Sequence, residues 1–279
     1  MDASQQVARA KLFRQMHDPG KILLLPNAWD AGTARLFEER GFAAVATTSG
    51  GMAWSLGYAD GEHMPLAQVV DAIARITRVC SVPITVDMET GYGEFPQAIA
   101  MSVQAAIAAG AVGINLEDGM PGHGPLRALD DAAQRIAAAR LAATASGVPI
   151  VINARVDVWM HETGSSANTH LPEALQRARA YLAAGADCIF PIALTDHDTL
   201  QAFVRAVDAP VNVAAGPGMP DLRELARIGV ARVSTATRLT TLAFAAIDKA
   251  AMQMRASGSF DSLAADFTYA DAQALFASR

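Results

Sequence analysis

The sequence predicts an α/β protein, a single (β/α)8 TIM barrel with an N-terminal helix and an extra C-terminal helical segment over about 257–279. Two observations carry this expectation. Short apolar, β-branched runs recur eight times, each followed by an Ala-rich stretch of helical periodicity, which is the pattern of repeated βα units. Gly41, Gly110, Gly147, Gly185 and Gly229 each close a helix just ahead of a strand, where a left-handed cap without Cβ is favoured. With 279 residues, 52% of them hydrophobic, the chain suffices for one large core, so 1–279 reads as one domain.

Residues 1–16 mix Gln, Arg, Lys and Asp with isolated apolar positions, which gives a helix and no signal-peptide core. Strands are expected at 22–26, 43–48, 84–89, 113–117, 150–155, 188–192, 211–215 and 232–235. Most are apolar on both faces, as strands covered by helices must be. Helices are expected at 31–39, 66–79, 96–109, 131–145, 172–184, 197–206, 222–228 and 239–254. An open doubly wound sheet shares this alternation, but no Gly-x-Gly-x-x-Gly follows the first strand. In the last segment Phe260, Leu263, Phe267, Leu275 and Phe276 need cover, from a neighbouring subunit or from the chain's own barrel.

A formal charge of −6 and the lack of any Lys/Arg run argue against a nucleic-acid partner. No apolar run reaches the roughly 18 residues of a membrane span, so a cytoplasmic protein without a membrane partner is expected. Cys80 and Cys188 lie far apart without a partner motif and read as buried small residues.

Barrel chemistry sits on the loops after the strands. The second strand runs into Thr47, Thr48, Ser49, Gly50 and Gly51, whose backbone N–H groups suit a carboxylate; a flexible turn fits the same composition. The third ends in Asp87-Met88-Glu89, where strand alternation puts both carboxylates on one face. The fourth ends in Glu117-Asp118, and Asp60 lies in the loop after the second. Carboxylates converging there repel one another unless a cation or protons are shared. Oxygen-only ligands suit Mg2+ or Mn2+, and Mg2+ takes only one or two carboxylates directly. Each acid alone would be an N-cap or a surface ion pair; together they indicate a functional site.

Arg155, at the end of the fifth strand, offers charge-assisted hydrogen bonds to a carboxylate or oxyanion, or a structural ion pair with Glu117 or Asp157. Gly216-Pro217-Gly218 occupies a common phosphate-binding position but reads as a tight turn, because that loop holds no Lys or Arg. Lys11, Lys21 and Lys249 all lie away from strand carboxyl ends, which disfavours a Schiff base, and both cysteines precede or begin strands. His63, His123, His161 and His170 fall in loops on the functional side.

Pro26-Asn27-Ala28-Trp29-Asp30-Ala31, Thr48-Ser49-Gly50-Gly51, Leu56-Gly57-Tyr58-Ala59-Asp60, Asp87 to Gly93, Ile114 to Asp118 and Asn153-Ala154-Arg155 follow one another in order. As a set they resemble the isocitrate lyase/phosphoenolpyruvate mutase superfamily, over about Pro26 to Ala236. The resemblance implies a helix-swapped homodimer or homotetramer, bound Mg2+, and a small 2-oxo or 2-hydroxy carboxylate substrate handled through a metal-stabilised enolate. It implies Asp87, Glu89, Asp60 and Glu117 around the metal, and Trp29, Thr47, Thr48, Ser49, Gly50 and Asn212 around the substrate. Arg155, Glu117 and His123 are the catalytic candidates.

The gating loop of the isocitrate lyases carries Lys-Lys/Arg-Cys-Gly-His, whereas 118–127 has neither Lys nor Cys and keeps only Gly122-His123. Ile192 stands where those lyases have Glu, and Glu89 where Asp is usual. The expected activity is therefore a Mg2+-dependent carbon–carbon lyase or decarboxylase without the gating cysteine, on an oxaloacetate-like acid. Carbon–phosphorus chemistry and 2-oxo acid binding without turnover are the alternatives.

Overall fold

The computed structural model describes residues 2–18, 20–160 and 166–277. His161, one of the loop histidines, lies outside them. The strands are β1 (Leu23–Leu25), β2 (Asn27–Ala28), β3 (Val45–Thr47), β4 (Ile84–Asp87), β5 (Gly113–Glu117), β6 (Val151–Val156), β7 (Cys188–Pro191), β8 (Asn212–Ala214) and β9 (Arg232–Ser234). All pair in parallel, in the orders β2-β3-β4-β5-β6-β7 and β1-β9-β8.

The two arcs close into the expected barrel at two seams. β1 and β2 are one strand interrupted at Pro26, which has no N–H for the ladder. Its first half pairs with β9 and its second with β3. The Asn27 side chain repairs the seam: its Oδ1 accepts from Thr235 N at 2.8 Å, and Asn27 N donates to Thr235 Oγ1 at 2.9 Å. The other seam is a parallel bridge between Ile189 and Val211.

The outer helices are α2 (Ala31–Glu39), α3 (Ser49–Ser55), α4 (Leu66–Val79), α5 (Pro96–Ala108), α6 (Leu129–Ser146), α7 (Leu171–Ala183), α8 (His197–Ala206), α9 (Leu222–Ile228) and α10 (Arg238–Ser257). They lie on the sheet by apolar stripes such as Val69, Ile73 and Ile76 of α4, spaced as a helix face requires. The helix α3 replaces the flexible turn that small residues suggested. Thr48 caps it, accepting from Gly51 N at 3.4 Å, and burial selects its glycines: a Cβ on Gly51 would meet Thr240, Thr48 and Trp29 atoms at 2.6–2.8 Å.

Helix α1 (Ala3–Gln15) stops the amino end of the barrel with Phe13, which is fully buried. A Cβ on Gly113 would lie 2.7 Å from Phe13 Cε1, so the first residue of β5 is a glycine because a ring fills its place. At the other terminus α11 (Tyr269–Ala277) touches α2 through Arg35 Nε, which donates to Leu275 O at 2.8 Å. This contact leaves Phe260, Tyr269 and Phe276 exposed. No helix among the described residues is long and apolar enough to cross a membrane.

Candidate active site

Asp87 is the last residue of β4, and neighbouring elements fix both its backbone and its carboxylate. Its N–H donates to Thr47 Oγ1 at 2.9 Å, while Oδ2 accepts from Ser49 N at 3.3 Å. Burial holds this carboxyl above the ordinary carboxylate range against the pull of Arg155, and the charge of Asp60 adds to the rise. Gly50 admits Asp60 to the cluster: a Cβ there would sit 3.0 Å from Asp60 Oδ2. Asp60 Oδ1 is buried without a hydrogen-bond partner.

Glu89 corrects the alternation argument, because β4 ends at Asp87 and Glu89 lies beyond it with φ of 48°. It still joins the acids. Tyr92 OH donates to its Oε1, and Glu62 N donates to Oε2 at 2.6 Å. Burial, with Asp87 and Asp60 nearby, pushes its carboxyl up to about 7. Glu62 and Tyr92, both of positive φ, were missed by sequence reasoning: Glu62 Oε1 accepts from Thr90 Oγ1 at 2.7 Å and Tyr92 N at 2.9 Å, tying the two acid-bearing loops together. Nothing periodic in the chain marks such residues.

Across the mouth, Arg155 of β6 is ion-paired to Glu117 of β5 and bidentate to Asp157, with Nε to Oδ1 at 2.7 Å and Nη2 to Oδ2 at 2.6 Å. Both structural pairings foreseen for Arg155 are therefore present. Burial opposes the guanidinium charge, but these two carboxylates hold its pKa well above the usual value. Burial raises Glu117 well above the ordinary range despite Arg155, and Asp157, Asp87 and Glu89 add to that rise. Asp118 turns away from the mouth: Tyr181 OH donates to it at 2.6 Å, Arg177 Nη1 at 3.2 Å and Asp157 N at 2.8 Å.

His123 has φ of 56°, and its Nε2 lies 3.5 Å from Asp60 Oδ2 with the ring half exposed. The loop carrying it crosses the loop after α3 where Gly61 meets Gly122, since a Cβ on Gly61 would lie 2.6 Å from Gly122 Cα. His63 is exposed, and His170 ends a short 3-10 turn ahead of α7. Two substrate-binding candidates stand apart from the acids. Trp29 lines an outer cleft with Ser55, Leu56 and Gln68. Asn212 is fully buried at the start of β8, where its Nδ2 donates to Ser234 Oγ at 3.3 Å. It lies at the strand's amino end, away from the carboxyl-end mouth where the acids gather.

The oxygen-only donor set and the partnerless Asp60 Oδ1 fit a hard divalent cation. Among the described residues no three acidic, histidine or cysteine side chains form a ready metal cage. Waters and substrate oxygens would have to complete the shell, as is usual for Mg2+.

The chain has known relatives. The phosphoenolpyruvate phosphomutase family model matches residues 13–255. A 2-methylisocitrate lyase from Escherichia coli K12 is 34% identical over 212 residues, covering 70% of this chain and 69% of its own. An oxaloacetate decarboxylase from Bradyrhizobium sp. BTAi1 is 31% identical over 226 residues, covering 78% and 75%. A Burkholderia cenocepacia J2315 structure provisionally described as a lyase/mutase superposes with a TM-score of 0.90 at 38% identity, covering 98% of each chain. Resemblance and barrel thus converge, and the chain belongs to the phosphoenolpyruvate phosphomutase family of the isocitrate lyase/PEP mutase superfamily.

Proposed function

We propose that this protein is a divalent-metal-dependent lyase that cleaves a carbon–carbon bond in, or decarboxylates, a small 2-oxo or 2-hydroxy carboxylic acid. The observation that carries the reading is the set Asp87, Glu89 and Glu117 beside Asp60, gathered around the Arg155 guanidinium, where burial first and neighbouring carboxylates second raise the carboxyl pKa values. Asp87 would hold the metal, with Asp60, Glu89 and Glu117 around it. When bound, the ion supplies Lewis-acid polarisation of the substrate's oxygen.

The chain's own groups account for the rest. The backbone amides of 49–51 and the Thr47 and Thr48 hydroxyls border the place for the substrate carboxylate. Arg155, locked by Asp157, faces the charge that develops when the breaking bond leaves its electron pair on the 2-oxo acid as an enolate. A proton must then return to carbon or oxygen, and His123 is the loop group beside the acids that can carry it. The 2-methylisocitrate lyase and oxaloacetate decarboxylase relatives support this class.

The test is release of pyruvate or glyoxylate from a panel of such acids with Mg2+. Turnover that chelation abolishes is expected; a folded, Mg2+-loaded protein inert on the whole panel would count against the reading. The family match also favours a second reading, carbon–phosphorus chemistry, which phosphonopyruvate consumption followed by phosphorus NMR would reveal.

We further propose a homodimer or homotetramer. Leu242, Ile247 and Met252 of α10 and Phe260 and Phe276 beyond it are 50–72% exposed, a row a second copy would cover. Light scattering giving the monomer mass would overturn it.

A further inference from the structure

We propose that Glu62 is a positioning residue, which pins the loop carrying Asp60 to the loop carrying Glu89 so that both acids stand in place before a divalent ion arrives. The inference rests on the metal-dependent reading above and deepens it.

Asp60 belongs to the segment between α3 and α4. At the ends of that segment Tyr58 OH accepts from Gln68 Nε2 at 2.8 Å, and the Met64 side chain is buried. Between them, among the described residues, every hydrogen bond of 59–63 is made by Glu62. The other polar contact there is the 3.5 Å approach of His123 Nε2 to Asp60 Oδ2. The Glu62 N–H donates to Glu89 Oε2 at 2.6 Å, while its Oε1 accepts from Thr90 Oγ1 at 2.7 Å and from Tyr92 N at 2.9 Å. Tyr92 OH closes the ring by donating to the other Glu89 oxygen.

This ring is built on a strained backbone. Glu62, Glu89 and Tyr92 have φ of 66°, 48° and 55°, a region that side chains resist, and each bonds to the other two. Such conformations persist only where the surroundings over-determine them, and they gather at functional sites. The anchor lies beneath: Arg135 of α6, only 1% exposed, donates to the carbonyls of Thr90, Gly93 and Glu94 at 2.7, 2.7 and 3.0 Å. The loop after β4 is thereby fixed to an outer helix. Glu62 lends that fixity to a segment whose other anchors lie at its ends, and Asp60 stands two positions before it. Groups that orient a metal's carboxylates from outside govern its affinity by about 10–100-fold.

The test is Mn2+ binding, followed by the EPR signal of the free ion, to wild type, Glu62→Ala, Glu62→Gln and Thr90→Val. Hydrogen exchange of 56–65 is measured in EDTA, and circular dichroism checks folding. Glu62→Ala should raise the Mn2+ dissociation constant roughly tenfold or more and speed exchange at 59–63. Gln keeps an oxygen that accepts both bonds but carries no charge, so Glu62→Gln should stay within about threefold of wild type. Thr90→Val removes one of the bonds and should weaken binding by a smaller factor; it carries the test if Glu62→Ala does not fold. Wild-type Mn2+ binding in the folded Glu62→Ala, or in Thr90→Val in its place, overturns this inference and leaves the metal reading standing. So does a Glu62→Gln as weak as Glu62→Ala, because the charge and not the bonds would then matter. If folded wild type binds no Mn2+, the metal reading falls and this inference falls with it.

Discussion

At the carboxyl end of the barrel Asp87, Glu89 and Glu117 are gathered around Arg155. At the amino end Arg232 is fully buried beneath the Phe13 ring, 5.9 Å from its centroid, with Nε and Nη1 unpartnered. Burial lowers the Arg232 pKa to about 10 and that of neighbouring His17 to about 4, the Arg232 charge adding to the fall in His17. One end thus concentrates negative charge and raises acid pKa values, while the other keeps one cation and suppresses a second. The difference teaches where the fold is under electrostatic load for function. Under the proposed function the acids would be relieved by a cation brought from outside, whereas the amino end is sealed by α1 and must be satisfied from within.

The largest effect should come from Arg155→Gln. It strips both Glu117 and Asp157 of their partner, at a cost of about 3–5 kcal/mol in stability. Turnover on the acid panel should fall on the order of 10²–10³-fold. Denaturant unfolding and steady-state kinetics measure the two; retained activity would mean that the cation at the carboxyl end is structural only. Phe13→Ala should cost a comparable or slightly smaller amount, about 3–4 kcal/mol, by opening a cavity beneath Gly113. Urea titration should show that loss with metal response intact, separating the sealing end from the working end.

The third contrast is one of sign. His17 stays neutral in the folded chain down to about pH 4, while its unfolded form takes up a proton below the ordinary histidine value of 6.5. The unfolded state therefore binds more protons in that window. His17 should remove about 3 kcal/mol of stability as pH falls from 6.5 to 4. Glu89 works the other way, since its raised pKa favours the metal-free fold fully below 4.5 and loses that contribution as pH rises through about 7. In EDTA, His17→Gln should flatten the acid limb of the stability profile and leave the neutral limb in place. An unchanged acid limb would mean that His17 titrates normally. The smallest effect is expected for Asp87→Asn, which removes a like charge: metal-free stability should rise by about 1 kcal/mol while the Mg2+-dependent thermal shift disappears.

Much of the fold was legible because it is local. α2, α4, α8 and α9 fall on the expected residues at both ends, and every expected strand overlaps an observed one, since alternation and helical stripes are written into neighbouring positions. The split at Pro26 was not legible, because its meaning depends on Thr235, more than two hundred positions away. Asp87, Glu117 and Arg155 were readable as strand ends. Glu89 was assigned to the site for the wrong geometric reason, as its left-handed backbone follows no repeat.

The crossing of Gly61 and Gly122 has a mechanical corollary. Two segments touching backbone to backbone, with no side chain to slide or rotate out of the way, cannot swing independently: raising one disturbs the other. Admission of reactant and departure of product would then be a single hinged event governed by both strips of chain. A methyl group on Gly61 would alter the timing of that event before it altered any bond made or broken.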